Sequence, residues 1–162
     1  MKQKKRPYPL IIKTAMVILL TAYLLTLYLS DSAANIPMET IASSMEEKYP
    51  DITSLGKCGR VDLKRFYQIE ESSAEGYFFY KSPSPMAVEE ILIIKASDKK
   101  QTEAFMESAQ NHLSDQKKIF EGYGTDQMAL LNEAIVESKG NYVYYMCGAN
   151  AGAWRDAFLS LI

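Results

Sequence analysis

The stretch that decides the fold is Glu89–Ala96, which reads EEILIIKA. The four positions at its centre, 91–94, are all apolar, and three of them are isoleucine. β-Branched residues suit strands, and an unbroken apolar run indicates a strand that is covered on both faces or by a helix. We therefore predict a buried strand here and interpret the rest of the chain outward from it.

A second strand is predicted just before this one, in the aromatic run Gly76–Lys81. The segment between the two strands contains Pro83 and Pro85, which lack backbone N–H groups, so the connection must be a loop rather than a tight turn. On the other side, Asp98 is predicted to cap a long helix over residues 99–121. A shorter helix follows, capped by Thr125 or Asp126.

The remaining sequence predicts a hairpin of Ala134–Glu137 and Asn141–Cys147, followed by a last amphipathic helix. The order of elements after residue 70 is strand, strand, helices, strand, strand, helix. This order is typical of an α+β domain, and we predict a four-stranded antiparallel sheet with helices packed on one face.

The N-terminal part of the chain carries a different signal, the apolar run Pro9–Leu29 with Lys13 as its one charge. Such a run is close to the roughly 20 residues that cross a bilayer. The basic residues before it predict a cytoplasmic N-terminus and an extracytoplasmic remainder. We expect residues 1–30 to form a basic tip and a membrane anchor through residues 10–29, 31–35 a linker, and 36–162 one domain.

A cleaved signal peptide is the alternative interpretation of the same run. Ser32, Ala33 and Ala34 supply the small residues of a cleavage site before Asn35. The apolar run is longer than the roughly 7–15 residues of most signal peptides, which favours a retained anchor. In both interpretations the domain leaves the cytoplasm.

The charge balance excludes one class of partner. Residues 1–30 hold five of the 18 basic residues and none of the 20 acidic ones, so residues 31–162 carry a net charge of −7. Nucleic-acid binding depends on clustered lysine and arginine that contact phosphates. We expect no nucleic-acid partner.

Motifs for catalysis, metals and cofactors are missing from the sequence. His112 is the single histidine, so any Ser–His or Cys–His catalysis must use it, but no nucleophile motif accompanies it. We interpret it as a structural residue at the border of a buried helix face.

Cys58, Cys147 and His112 lack the short spacing of a zinc site. Neighbouring carboxylates such as Glu89 and Glu90 point to opposite sides of a strand, and we interpret them as solvated charges. We predict neither catalytic residues nor a metal or cofactor.

The two cysteines, Cys58 and Cys147, are predicted to lie outside the cytoplasm, where a disulfide is permitted. A domain of about 130 residues buries enough surface to be stable without one. This favours two free thiols over a bridge.

Tyrosine is the most distinctive residue type in the predicted sheet. Tyrosine combines a large contact area with a polar tip and is favoured at binding surfaces. If helices cover one face, the other face must carry Tyr142 and Tyr144, or Tyr145. We predict a binding surface at these three residues.

Four stretches together resemble a known family: EEILIIKASD from Glu89, QKKIFEGYG from Gln116, MALLNEAIV from Met128 and SKGNYVYYMCG from Ser138. Their order and spacing are similar to those of the bacterial family catalogued as domain of unknown function 4358. The likeness covers roughly Met38 to Phe158. It implies a small exported domain behind an N-terminal anchor, and it brings no activity, cofactor or site residue. Unlike lipoprotein members, this chain has no cysteine near its apolar run, so we expect no lipid attachment.

These observations predict a membrane-tethered, single-pass binding or adaptor domain at the outer face of a bacterial plasma membrane, with an envelope protein or wall component as its partner. One alternative is an envelope enzyme that uses His112 or Cys147. Another is a structural subunit of a membrane complex that is held through its anchor.

Overall fold

A computed structural model of the chain describes residues 8–30, 32–122 and 124–162, and of residues 8–11 and 27–30 it describes only the backbone. The chain divides into two units between Ser32 and Ala33. Residues 1–7 of the predicted cytoplasmic tip and residue 31 of the predicted linker lie outside the described residues. The globular unit begins at Ala33, so three residues of the predicted linker belong to it.

In the first unit, the described residues 8–30 form one helix, α1 (Tyr8–Ser30). Among the residues that the structure describes, no helix has both the length and the apolar composition needed to cross a bilayer. The predicted anchor, residues 10–29, also includes end positions whose side chains lie outside the described ones.

The second unit is an α+β domain, as predicted. Its helices are α2 (Met38–Lys48), α3 (Pro50–Ser54), α4 (Arg60–Tyr67), α5 (Lys99–Phe120), α6 (Thr125–Asn132) and α7 (Ala151–Leu161), with a 3₁₀ turn at Glu71–Ser73. Its strands are β1 (Gly56–Lys57), β2 (Gly76–Lys81), β3 (Glu90–Lys95), β4 (Ile135–Lys139) and β5 (Tyr142–Cys147).

The strands form one antiparallel sheet in the order β1-β2-β3-β5-β4. The predicted buried strand, β3, is its central strand, and all six of its residues are buried. Leu92 pairs with Phe79 of β2 on one side and with Tyr145 of β5 on the other. This register sets apolar residues side by side across the three inner strands.

The prediction of helices on one face of the sheet is wrong, because the structure has helices on both. Ile91 and Ile93 of β3 face the core formed with α2, α3 and α7. Leu92 and Ile94 face the opposite core, formed with α4, α5 and α6. Successive strand residues point to opposite sides. A strand that is apolar at every position therefore needs cover on both faces.

In the part of the chain that the structure describes, the sheet has five strands rather than the predicted four. The additional strand, β1, is two residues long and lies at the outer edge of β2, where Lys57 pairs with Tyr80. Two residues are too few to show an alternating pattern, so the sequence predicted a loop over 51–60. The segment Val61–Ile69, which the sequence left open between helix and strand, contains most of α4.

Candidate functional site

A carboxylate is buried at the beginning of the central strand. Glu90 of β3 is inaccessible to solvent, and its neighbours across the sheet are Lys81 of β2 and Cys147 of β5. Its side chain points into the core that contains Leu92 and Ile94, because strand residues two apart share a face. A buried carboxylate is costly unless it is paired and hydrogen-bonded.

Three donors from three different elements satisfy Glu90. The Tyr67 hydroxyl of α4 donates to Oε1 at 2.5 Å. The Lys81 ammonium of β2 donates to Oε2 at 2.7 Å, and His112 Nε2 of α5 lies 3.0 Å from the same oxygen. We call these four residues, Tyr67, Lys81, Glu90 and His112, the Glu90 cluster.

The cluster keeps its carboxylate ionised. Burial alone would raise the pKa of Glu90, but the hydrogen bonds and charges of His112 and Lys81 outweigh it and hold that pKa below its ordinary value. Because the carboxylate is ionised, Nε2 of His112 must be the donor in their contact. Burial and the neighbouring Glu90 charge raise the pKa of Tyr67 well above its usual value, so its hydroxyl keeps its proton.

Aromatic rings enclose the imidazole of His112. The ring centroid of Tyr67 lies 4.4 Å from it, that of Tyr145 5.3 Å and that of Phe66 6.1 Å. His112 is 5% exposed. The prediction that it lies at the border of a helix face is therefore wrong: one helical turn from Ala109, it sits among the buried residues of α5.

A cavity of about 480 Å³ opens beside the Glu90 cluster, and Lys81 is the member of the cluster that lines it. Residues of β1, α4 and α5 line it together with the loop between β2 and β3, and these include Cys58, Asp62, Arg65, Phe66, Lys81 and Ile119. Its volume is within the range of small-molecule sites. We call it the β2-end cavity.

Two cations flank one aromatic ring in the wall of this cavity. The Arg65 guanidinium carbon and the Lys81 ammonium nitrogen each lie 5.3 Å from the centroid of Phe66. Lys81 also belongs to the Glu90 cluster and its side chain is only 14% exposed. It thus connects the buried carboxylate to the cavity.

Comparison with known proteins places the chain in a family. Residues 48–148 match the model of a domain of unknown function (DUF4358). The chain belongs to the DUF4358 family. The matched segment includes all four residues of the Glu90 cluster. No curated protein and no solved structure gives a significant match.

The DUF4358 domain buries the three tyrosines on which the predicted binding surface depends. Tyr142 and Tyr145 are 0% exposed and Tyr144 is 2% exposed. The rings of Tyr142 and Tyr144 pack edge-on against Phe158 of α7, whereas Tyr145 packs beside His112 on the opposite face. Since helices cover both faces, neither set is exposed, and the prediction of an exposed aromatic surface is wrong.

The two cysteines are free thiols in the structure. Cys58 directly follows β1, and its N–H continues the ladder to Phe79 O of β2 at 2.9 Å. Cys147 ends β5, and two strands lie between β1 and β5. Adjacent strands are about 4.8 Å apart, which separates the two cysteines by roughly 14 Å. A disulfide requires Cα atoms within about 7 Å, so this fold does not allow the bridge.

Neither thiol is activated. Burial raises the pKa of Cys147 to about 12. Burial, together with the charge of Asp62, raises the pKa of Cys58 to about 11. Both are therefore protonated near neutral pH, and a thiol is a poor nucleophile compared with a thiolate.

No group of three or more histidine, cysteine, aspartate or glutamate side chains suited to a metal ion occurs in the described part of the chain.

Sequence reasoning missed Glu90 and Lys81, and interpreted the former as a solvated charge. A signal was present, because in the pattern EEILIIK the second glutamate shares a strand face with Leu92 and Ile94. A charged residue on the apolar face of a buried strand needs a partner. The sequence did not reveal that the partners would be Lys81, Tyr67 and His112.

Proposed function

We propose that this DUF4358 protein is a membrane-tethered, extracytoplasmic binding or adaptor domain of the bacterial envelope, and that it receives its ligand or partner in the β2-end cavity. The observation that carries the proposal is the cavity itself. It combines a volume of about 480 Å³ with two cations, an aromatic ring and an exposed apolar side chain, Ile119. A concave, partly apolar surface with a few convergent polar groups is the usual form of a ligand site.

The tether and its orientation are supported by the sequence. The run Pro9–Leu29 is almost uncharged and follows four basic residues, an asymmetry that favours a cytoplasmic N-terminus. Met16, Ile18 and Leu19 of α1 are each at least 66% exposed. Exposed apolar surface of this kind is typical of a segment that contacts a membrane or another protein.

The enzyme alternative has less support. Its two candidate residues, His112 and Cys147, are both buried, the imidazole is bound to Glu90, and the Cys147 thiol is protonated at neutral pH. A reaction at either residue would require a substrate to enter the core. The third hypothesis, a subunit held only through its anchor, predicts that an unrelated anchor abolishes function.

Site-specific cross-linking in intact cells tests the proposal. A photo-reactive amino acid replaces Ile119, which lines the cavity and is 53% exposed, in the tagged full-length chain. The matched control places it at Val61, which is 71% exposed and lies outside the cavity lining. We expect one envelope protein or wall fragment to be captured from position 119 and not from position 61. Equal capture from both positions, or none from either, would contradict the assignment of the cavity.

A further inference from the structure

The β2-end cavity presents positive charge within a domain that is otherwise strongly acidic. Residues 31–162 carry a net charge of −7, yet the side chains of Arg65 and Lys81 meet at one ring in the cavity wall. Asp62 is the carboxylate among the lining residues, and its Oδ2 accepts a hydrogen bond from the Gly59 N–H at 3.0 Å. Lys57 also lines the cavity, but its ammonium lies 3.6 Å from Glu46 and over the Tyr80 ring, on the opposite face of the sheet. The charges that face the cavity, those of Arg65, Lys81 and Asp62, therefore sum to about one positive charge.

The carboxylates that balance the lysines lie away from the cavity. Glu90 is buried behind Lys81, and Glu46, which is 3.6 Å from the Lys57 ammonium, belongs to α2 on the opposite face of the sheet. Arg65 is exposed and forms no ion pair with any described residue. Its guanidinium lies against the ring of Phe66 instead. Its guanidinium has five N–H donors in a planar fork that fits a carboxylate.

Lys81 can serve a ligand without leaving a bare charge in the core. When its ammonium turns toward the cavity, Glu90 still accepts hydrogen bonds from Tyr67 and His112. Removing the last donor from a buried carboxylate would be costly, but here two donors remain. The Glu90 cluster thus holds Lys81 at the cavity, and Glu90 would stay hydrogen-bonded if the Lys81 ammonium bound a ligand.

We propose that the β2-end cavity binds a small organic monoanion, a carboxylate attached to an apolar body. Arg65 and Lys81 bind the carboxylate, while Phe66 and Ile119 contact the apolar part. A phosphate monoester is close to a dianion at neutral pH and fits a single net positive charge less well. This inference rests on the proposed function, because it names the ligand class of the same site.

Cys58 provides a local readout, because it lines the cavity and is half-buried, whereas Cys147 is fully buried and serves as an internal control. The rate of Cys58 alkylation by iodoacetamide is measured in the full-length chain by peptide mass spectrometry. The probes are N-acetylphenylalanine, a carboxylate, and N-acetylphenylalanine amide, its neutral analogue. We expect the carboxylate to protect Cys58 at a concentration at least about tenfold lower than the amide, since charge-assisted hydrogen bonds are strong.

Two variants assign the effect to Arg65. Arg65→Gln should abolish the difference between the probes, and Arg60→Gln, an exposed arginine of the same helix outside the cavity, should leave it unchanged. Equal protection by both probes would overturn the anion preference and leave the cavity as a binding site. Protection by neither probe also overturns it. If the cross-linker at position 119 then captures nothing, the proposed function fails as well, whereas a specific capture would leave that function standing with a different ligand class.

Discussion

The Tyr67 hydroxyl donates a 2.5 Å hydrogen bond to the Glu90 carboxylate and so joins α4 to the central strand of the sheet. Both residues are buried, so neither exchanges this bond for one to water. Hydrogen bonds to buried charged groups are among the more valuable in a folded protein.

Replacing Glu90 should destabilise the domain strongly. Glu90→Gln removes the charge that Lys81 and His112 face, and we expect it to lower the free energy of unfolding by about 2–4 kcal/mol. Tyr67→Phe, which removes one donor, should cost about 1.5–3 kcal/mol. Urea unfolding followed by the fluorescence of Trp154, the single tryptophan, measures both. Glu89→Gln is the matched control, and a comparable loss there would show that the cluster is not the cause.

Acid should weaken the domain through the same carboxylate. The pKa of Glu90 in the folded protein lies below the value of 4.5 of a free glutamate. A group with a depressed pKa stabilises the fold above its unfolded pKa and loses this effect as the pH falls toward its folded pKa. We expect the urea concentration at the unfolding midpoint to decrease when the pH is lowered below 4.5. Glu90→Gln should reduce this dependence of the midpoint on pH. Some dependence should remain in the variant, because the pKa of Glu137 is also lowered, where the contacts with Arg155 and Tyr144 outweigh burial. An equally steep acid dependence in wild type and variant would contradict this account.

Local pattern sufficed for most of the secondary structure of the globular unit. The run at 91–94 indicated a covered strand, and the capping bond from the Gln101 N–H to Asp98 lies where the sequence placed the start of α5. The prediction failed where pattern length or three-dimensional packing decided the outcome. β1 is too short to carry a pattern, and cover on the second face depends on how α2 and α7 pack against the sheet.

The Glu90 cluster could not be assembled from the sequence. Its four members come from α4, β2, β3 and α5, and span 45 positions between Tyr67 and His112. The register of β2 on β3 brings Lys81 beside Glu90, and helix packing brings the other two. No local spacing encodes either fact. The local sequence pattern therefore indicated a charged residue in a strand, but not the hydrogen-bond network that pairs its carboxylate.

The hydrogen bond that His112 donates should contribute to stability in addition to the packing of its ring. His112→Ala removes the hydrogen bond to Glu90 and leaves a void among Phe66, Tyr67 and Tyr145, at a cost of about 2–4 kcal/mol. His112→Gln keeps an N–H donor and should recover at least about 1 kcal/mol of this loss. Urea unfolding at pH 7 compares the two variants. Equal destabilisation by both would mean that packing of the imidazole, not its hydrogen bond, is the main contribution.

The cysteines should remain reduced even after exposure to an oxidising compartment. With about 14 Å between them, Cys58 and Cys147 cannot form a bridge without disrupting the sheet. Protein isolated without reductant, then unfolded and alkylated, should gain two alkyl groups by intact mass. A species that lacks two hydrogens and takes up no alkyl group would show a disulfide and contradict the strand order.

The hydroxyls of Tyr142, Tyr144 and Tyr145 should contribute differently to the free energy of unfolding, because their hydrogen-bond partners differ. Tyr142 Oη accepts from the Ile36 N–H at 2.9 Å and donates to the Ile36 carbonyl at 2.8 Å. Tyr142→Phe removes both bonds; the Ile36 N–H keeps Ala34 O as an acceptor at 3.0 Å, but the part-buried carbonyl loses its hydroxyl donor, so the variant should cost about 1–3 kcal/mol.

The other two hydroxyls complete the series. Tyr144 Oη donates to Glu137 at 2.7 Å, and Arg155 binds the same carboxylate, so Tyr144→Phe should cost about 1 kcal/mol. Among the residues that the structure describes, the buried hydroxyl of Tyr145 has no hydrogen-bond partner of normal geometry. Burial, and after it the nearby Cys147 thiol, raises its pKa. Removing an unpaired buried hydroxyl relieves a desolvation penalty, so Tyr145→Phe should leave stability unchanged or raise it. Urea midpoints of the three variants should therefore rank Tyr142→Phe lowest and Tyr145→Phe highest. A loss in Tyr145→Phe as large as that in Tyr142→Phe would mean that the Tyr145 hydroxyl does have a partner in the core.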